Sequence, residues 1–220
     1  MSDFIRYAIY HVPAPGPLAA FGADWLGWDV AAGSPRESIA PTGLTDVPRK
    51  YGFHATIKPP FRLAQGRTAA DLQHAVADFC KAQAPVSLDG LGLSRIGRFL
   101  ALTPTGDVSV LNALAARTVE ALDAFRAPAS AAELDRRRAG GLSPSQEENL
   151  TRWGYPYVME DFRFHMTLTG RTDAADEAER LLRRNLDRLD LAPYVLDSLS
   201  LVGERDDGMF EQLHRYTLAG

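Results

Sequence analysis

One cysteine, Cys80, occurs in 220 residues, so no internal disulfide can form. No apolar run approaches the roughly 18 residues that mark a membrane-spanning helix. The opening stretch MSDFIRYAIYHVP lacks the apolar core of a secretory signal. The expected location is therefore cytoplasmic, with no membrane partner. Positive charge is in short supply as well, with 24 Lys and Arg against 28 Asp and Glu and a net charge of −4. Long nucleic acids favour a basic surface, so nucleic acid is not the expected partner. There is no glycine-rich phosphate loop, dinucleotide fingerprint or serine-centred nucleophile elbow. A zinc site needs three or four ligands, and His11, His74, His214 and Cys80 stand at no ligand spacing. Neither a metal nor another cofactor is expected.

The remaining composition, 45% hydrophobic and 24% charged, is that of a folded domain with a sizeable core. Phe4–Val12 is aromatic and β-branched and reads as a strand. Residues 18–48 mix Trp, Pro and Gly and read as irregular structure with one short helix at most. FHATIKPPFRL reads as a strand ended by its two prolines. Thr68–Gln83 reads as a helix, with Thr68 as N-cap and Asp71 three residues on. Two strands around a Gly-containing turn follow, then a helix over Asp107–Phe125. Residues 126–160 read as a connection with helices of its own. In it LSPSQEENL offers Ser143 as N-cap, Pro144 at the first helical position and Gln146 to complete a capping box. Arg136–Arg138 read as a solvated helix face. DFRFHMTLTG then reads as a strand, DAADEAERLLRRNLDRL as a helix, and the last segment as a hairpin turning at RDDG.

Two stretches share one local pattern. YGFHATIKPPF and FRFHMTLTGR each place His, one residue and Thr in an apolar run, at His54–Thr56 and His165–Thr167. A chain with this many His and Thr holds about 0.3 such tripeptides by chance. Each opens the same series of strand, helix, strand, turn and strand, which points to two pseudo-symmetric lobes. Strand alternation puts Lys50, Gly52, His54, Thr56 and Lys58 on one face, and Arg163, His165, Thr167, Thr169 and Arg171 on one face. Imidazole, hydroxyl and cationic groups so arranged suit a phosphate ester. One His takes a proton from the attacking oxygen and the other gives one to the leaving oxygen, while Thr, Lys and Arg hold the phosphoryl oxygens. Spacing alone leaves the acid and base unassigned. Tyr7, Tyr51, Tyr155 and Tyr157 are candidates to stack on a base or sugar, and WGYPY to shape the pocket.

The pair of motifs resembles the 2H phosphoesterase superfamily, defined by two His-x-Ser/Thr motifs on related lobes. KYGFHATIKPPF, LSPSQEENLTRWGYPYV and FRFHMTLTGR are most similar to its branch associated with phosphonate metabolism. The resemblance implies a bilobal α+β fold, with an antiparallel sheet plus helices in each lobe and a cleft between the lobes. It implies His54, Thr56, His165 and Thr167 as the catalytic set. Lys58 and Arg171 join as substrate-binding candidates from register alone, with Arg163, Tyr51 and Tyr157 beside them. The expected organisation is a single bilobal domain over 1–220, with a first lobe over about 48–125, a connection over about 126–160 and a second lobe over about 161–220. The expected activity is metal-independent hydrolysis of a small cyclic phosphodiester, a ribose cyclic phosphate being one candidate. RNA 2′,3′-cyclic phosphate hydrolysis or 2′-5′ ligation stands as the alternative within enzymes. Binding of a nucleotide or sugar phosphate without turnover stands as the alternative outside them.

Overall fold

The aromatic N-terminal run forms β1 (Tyr7–His11), buried along its whole length. The structure, a computed structural model, describes residues 4–220. In chain order there follow α1 (Pro17–Leu26), β2 (Trp28–Asp29), β3 (Ser34–Pro35), α2 (Asp46–Arg49), β4 (Ala55–Phe61) and α3 (Ala69–Lys81). Next come β5 (Val86–Leu88), β6 (Gly90–Ile96), β7 (Phe99–Thr105), α4 (Ser109–Ala121), α5 (Ala131–Arg138) and α6 (Pro144–Trp153). The last elements are β8 (Met166–Thr167), α7 (Ala175–Leu186), β9 (Tyr194–Leu196), β10 (Ser198–Glu204) and β11 (Phe210–Thr217). Among the described residues no helix is long and apolar enough to cross a membrane.

Local chemistry accounts for the best-defined helix ends. The Thr68 hydroxyl accepts from the Asp71 N–H while the Asp71 carboxylate accepts from the Thr68 N–H, closing a capping box on α3. Ser143 and Gln146 do the same for α6, whose first residue is Pro144 and whose end is Gly154 in the left-handed region at φ 74°. Residues 18–48 are more regular than their Trp, Pro and Gly content implies. Pro17 starts α1, Gly27 stops it at φ 74°, and β2 and β3 pair as a small ribbon.

The main sheet has seven strands in the order β11-β10-β1-β4-β8-β7-β6, and every registered pair in it is antiparallel. It is a mixed helix and antiparallel-sheet fold, as the sequence leads one to expect. The two halves, β11-β10-β1-β4 and β8-β7-β6, meet through β4 and β8. The hairpins are exchanged between the two series. The first motif strand, β4, shares its half with the C-terminal hairpin, whereas the second motif strand, β8, lies beside the earlier hairpin of β6 and β7. Each half of the sheet is thus built from both sequence series rather than from one contiguous lobe.

One face of the sheet carries the main core, in which Ile9, Ala55, Ile57, Leu102 and Met166 pack with α3, α4 and α7 through Leu72, Val76, Leu111, Leu114 and Leu182. A smaller cluster of Ala8, Tyr10, Val12, Trp28, Val30, Val202 and Phe210 lies apart from it. Cys80 is in the main core, and burial pushes its thiol up to about 12, an inert group.

Strand β4 does not stop at its prolines. It runs through Pro59 and Pro60 because its pairing with β1 shifts register twice, once between Tyr10↔Thr56 and Ile9↔Lys58 and once between Ile9↔Lys58 and Tyr7↔Phe61. Each shift leaves one extra residue on β4, and a bulge tolerates a proline that has no ladder donor.

Candidate active site

The pairing Ala55↔Met166 joins the middle residues of the two motifs. Continued by one residue each way, that register sets His54 opposite Thr167 and Thr56 opposite His165. The two histidines are then diagonal neighbours, roughly 7–8 Å apart at the backbone. Alternation turns Ala55 and Met166, both fully buried, into the core and all four motif side chains to the opposite face. The structure therefore brings His54, Thr56, His165 and Thr167 together on one face, across the seam between the half-sheets.

Both rings are oriented in the same way. His54 Nδ1–H donates to the Gly52 carbonyl at 2.9 Å, and His165 Nδ1–H donates to the Arg163 carbonyl at 2.8 Å. A carbonyl can only accept, so Nδ1 bears a proton in both rings and Nε2 is the atom left to exchange one. Nε2 of His54 meets the Thr56 hydroxyl at 3.1 Å. The rings differ in their surroundings. His54 lies flat on Tyr10, with centroids 3.6 Å apart and planes at 19°. Desolvation there pushes its imidazole down to about 4, the Gly52 carbonyl pulls the other way, and His165 adds to the fall. His54 is thus neutral at pH 7. His165 is tilted at 53° to the Phe99 ring, with centroids 5.8 Å apart.

A pocket of about 230 Å³ opens beside these groups, lined by Tyr51, His54, Phe99, Thr167, Thr169 and Arg171 among others. Its rim is the α2 segment, tied down by the Gly170 N–H donating to the Leu44 carbonyl at 2.8 Å. The Arg171 side chain has no ion-pair or hydrogen-bond partner among the described residues and stands at the pocket as a free cation. Thr169 is committed elsewhere, since its hydroxyl accepts from the Leu100 N–H at 2.9 Å.

Three substrate-binding expectations meet a different outcome. Lys58 should share the face of Thr56 by alternation, but the bulge at Ile57 turns it to the core side. There it is 1% exposed, donating to the Val119 carbonyl at 3.1 Å with Asp123 3.4 Å away. Arg163 contributes its carbonyl to His165, while its guanidinium folds back onto the Glu160 and Phe162 carbonyls. Tyr157 is half exposed and does not line the pocket. Its neighbour Tyr155 is the ring turned inward, with the Arg137 guanidinium 4.6 Å above it. Tyr51 lines the pocket as expected. Tyr10 and Phe99 were not legible as site residues, because nothing local says which strands lie beside β4 and β8.

The LSPSQEENL stretch acts through position. Ser145, Gln146 and Asn149 of α6 all bond to Asp161, at the turn Met159–Asp161 that leads into the second motif. His11 and His74 are not site residues. His11 is buried, donating to the Ser198 carbonyl and accepting from the Tyr194 hydroxyl at 2.6 Å, and His74 is exposed on α3. Among the described residues no three His, Cys, Asp or Glu side chains converge as a metal site.

Comparison with known proteins gives one family, described as protein of unknown function (DUF1045), which matches residues 56–211. The ribose 1,5-bisphosphate phosphokinase PhnN of Janthinobacterium sp. (strain Marseille) is 36% identical over 98% of the chain and 51% of its own length. The chain spans about half the length of the curated relatives it matches. Among solved structures, TT0787 of Thermus thermophilus is similar at 15% identity and a TM-score of 0.48, with 98% of both chains covered. LigT of E. coli in complex with 3′-AMP is similar at 14% identity and a TM-score of 0.45, over 99% of this chain and all of the other.

Proposed function

The chain belongs to the family described as protein of unknown function (DUF1045), and from that premise we propose that it is a metal-independent phosphodiesterase acting on a small cyclic phosphodiester. The observation that carries this reading is the Ala55↔Met166 pairing, which sets two imidazoles and two threonine hydroxyls on one face beside a cationic pocket. In the mechanism, His54 Nε2 accepts a proton from water as the water oxygen bonds to phosphorus. The ring P–O bond breaks, and the departing oxygen takes the Nε2 proton of His165, which enters the step as the imidazolium and leaves it as the neutral Nδ1–H ring. One water is added, and the product is an acyclic phosphomonoester. Thr56 turns its hydroxyl from His54 to a non-bridging oxygen, Thr167 donates to another, and Arg171 stabilises the charge that builds there. Burial that keeps His54 neutral supports its part as base, with His165 as acid. The name of the curated relative, a ribose 1,5-bisphosphate kinase, favours a ribose cyclic phosphate as the substrate.

The test is turnover by the EDTA-treated protein of a panel comprising 2′,3′-cyclic nucleotides, 3′,5′-cyclic nucleotides and ribose 1,2-cyclic phosphate, followed by phosphorus NMR. The expected result is conversion of the ribose cyclic phosphate to a monoester at the same rate with and without EDTA. Tight binding of a panel member with no turnover would replace this reading by a non-catalytic one.

A further inference from the structure

A second cavity adjoins the first through a shared wall, Tyr51. It holds about 740 Å³ and is lined by six cationic side chains, Arg6, Lys50, Arg62, Arg126, Arg136 and Arg137, against two carboxylates, Glu133 and Glu204. This is an unusual local excess in a chain whose net charge is −4. Three of the cations are already compensated. Arg6 pairs with Glu204 at 2.5 and 2.9 Å, Arg137 with Glu133 at 3.0 Å, and Arg126 with Asp123 at 2.7 Å. Both lining carboxylates are thereby neutralised. Lys50, Arg62 and Arg136 have no acidic partner among the described residues. Lys50 lies over the Tyr51 ring at 4.7 Å, and Arg62 donates only to the Ile5 carbonyl at 3.3 Å.

We propose that this chamber is a second phosphate subsite, so that the substrate carries a non-reacting phosphate in addition to the diester that is opened. The proposal rests on the reading of the paired His-x-Thr face, with the pocket at His54, as the reaction site. The chemistry is complementary. A terminal phosphate monoester is close to a dianion at neutral pH, and three free cations with three further guanidiniums behind them can neutralise it by charge-assisted hydrogen bonds. The reaction pocket, by contrast, offers Arg171 as its one Lys or Arg among the described residues, enough for the single negative charge of a diester. Position is complementary too. Tyr51 stands 6.2 Å from the His54 ring, centroid to centroid, and walls both cavities. A sugar lying against it would place one end at His54 and the other in the chamber. Binding energy from the remote phosphate is then available to hold the reacting bond in place. Arg136 and Arg137 of the basic run on α5 therefore face this chamber, whereas Arg138 pairs outward with Glu147 at 2.6 Å. Pro128, Ala129, Ser130 and Gly154 form part of its wall, so it is a recess of limited volume rather than an extended groove. That favours a compact sugar phosphate over a polymer.

The experiment compares two substrates and one probe. The substrates are ribose 1,2-cyclic phosphate and the same compound with a phosphate on the 5-hydroxyl. The probe is ribose 5-phosphate, titrated calorimetrically against ribose, and it reads the subsite independently of any turnover. The expected results are a kcat/KM at least about 100-fold higher for the doubly phosphorylated substrate, and binding of ribose 5-phosphate but not ribose. In a Lys50→Ala/Arg62→Ala/Arg136→Ala protein the substrate ratio should fall towards one and probe affinity at least about 10-fold. Arg136→Lys should restore part of the affinity lost in Arg136→Ala. Equal kcat/KM for the two substrates would overturn the subsite and leave the proposed reaction standing. Probe binding lost in the triple variant, without turnover of either substrate, would keep the subsite and overturn the reaction. Short oligonucleotides titrated in the same way are the control, and affinity that rises with their length and falls steeply with salt would overturn the subsite, showing that the cations track a polymer backbone.

Discussion

Alanine at His54 or at His165 should lower kcat/KM for a cyclic phosphodiester by about 10³-fold, the size of a general acid or base contribution. The double variant should be little worse than either single one, since acid and base act on one proton-transfer sequence. His54 and His165 each stand just before a strand with side chains only partly buried, so circular dichroism should show the fold retained. The pH profile separates the two roles. His54 acts as base only when unprotonated, and desolvation under Tyr10 pushes it down to about 4. Activity in the wild type should therefore persist as pH falls through 6.5 and decline only on approach to 4. A half-point near 6.5 on the acidic side would show that His54 is not the base.

Loss of the Asp123 carboxylate should destabilise the protein by about 2–3 kcal/mol at pH 7, because it leaves the buried Lys58 amine without its counter-charge. Desolvation pushes Lys58 down to about 8, against the opposing pull of Asp123. Burial pushes Asp123 up, but Arg126 and Lys58 outweigh it and hold the carboxyl below its usual range. The direction of the pH effect follows. Between about 8 and the ordinary amine range the unfolded chain holds a proton that folded Lys58 has released. This group therefore adds stability as pH rises through that window and withholds it below. The Asp123→Ala penalty should be largest near pH 7 and smaller near pH 10, where Lys58 is neutral with or without the carboxylate. Lys58→Met removes the buried charge itself, leaves Asp123 paired with Arg126, and should change stability by no more than about 1 kcal/mol. Because Lys58 points away from the pocket, Lys58→Met should also leave kcat/KM within about twofold. Urea unfolding at the two pH values, with turnover measured beside it, checks both statements. A 100-fold loss of activity in Lys58→Met would mean that the ammonium reaches the substrate.

Lys58 also shows where sequence patterns stop being informative. The alternation of His54, Thr56 and Lys58 is a local rule, and it holds for the first two. It fails at the third because β1 pairs with β4 through a bulge, and β1 lies nearly fifty residues upstream. Tyr10 carries no sequence signal for the same reason. Its contact with His54 exists only because β1 and β4 are neighbours, and the order of strands in a sheet is a long-range property. The capping boxes of α3 and α6 were readable to the residue, since each is closed within four positions. The twin His-x-Thr motifs were readable because doubling in matched apolar settings is visible without knowing the fold. Their meeting through Ala55 and Met166 was not, nor was the exchange of hairpins between the halves. The basic chamber was hidden in a similar way. Arg6, Lys50, Arg62, Arg126 and Arg136 are scattered along the first 136 residues, and only folding gathers them round one cavity.

The most direct measurement of the central claim is the fate of the solvent oxygen. Ribose 1,2-cyclic phosphate, with and without a 5-phosphate, is incubated in ¹⁸O-water with EDTA-treated protein and followed by phosphorus NMR. The expected result is one ¹⁸O atom on the phosphorus released from the ring, appearing in the wild type and absent in His54→Ala and His165→Ala. Label incorporated at an undiminished rate by both variants, or turnover abolished by EDTA and restored by a divalent cation, would contradict paired-histidine catalysis.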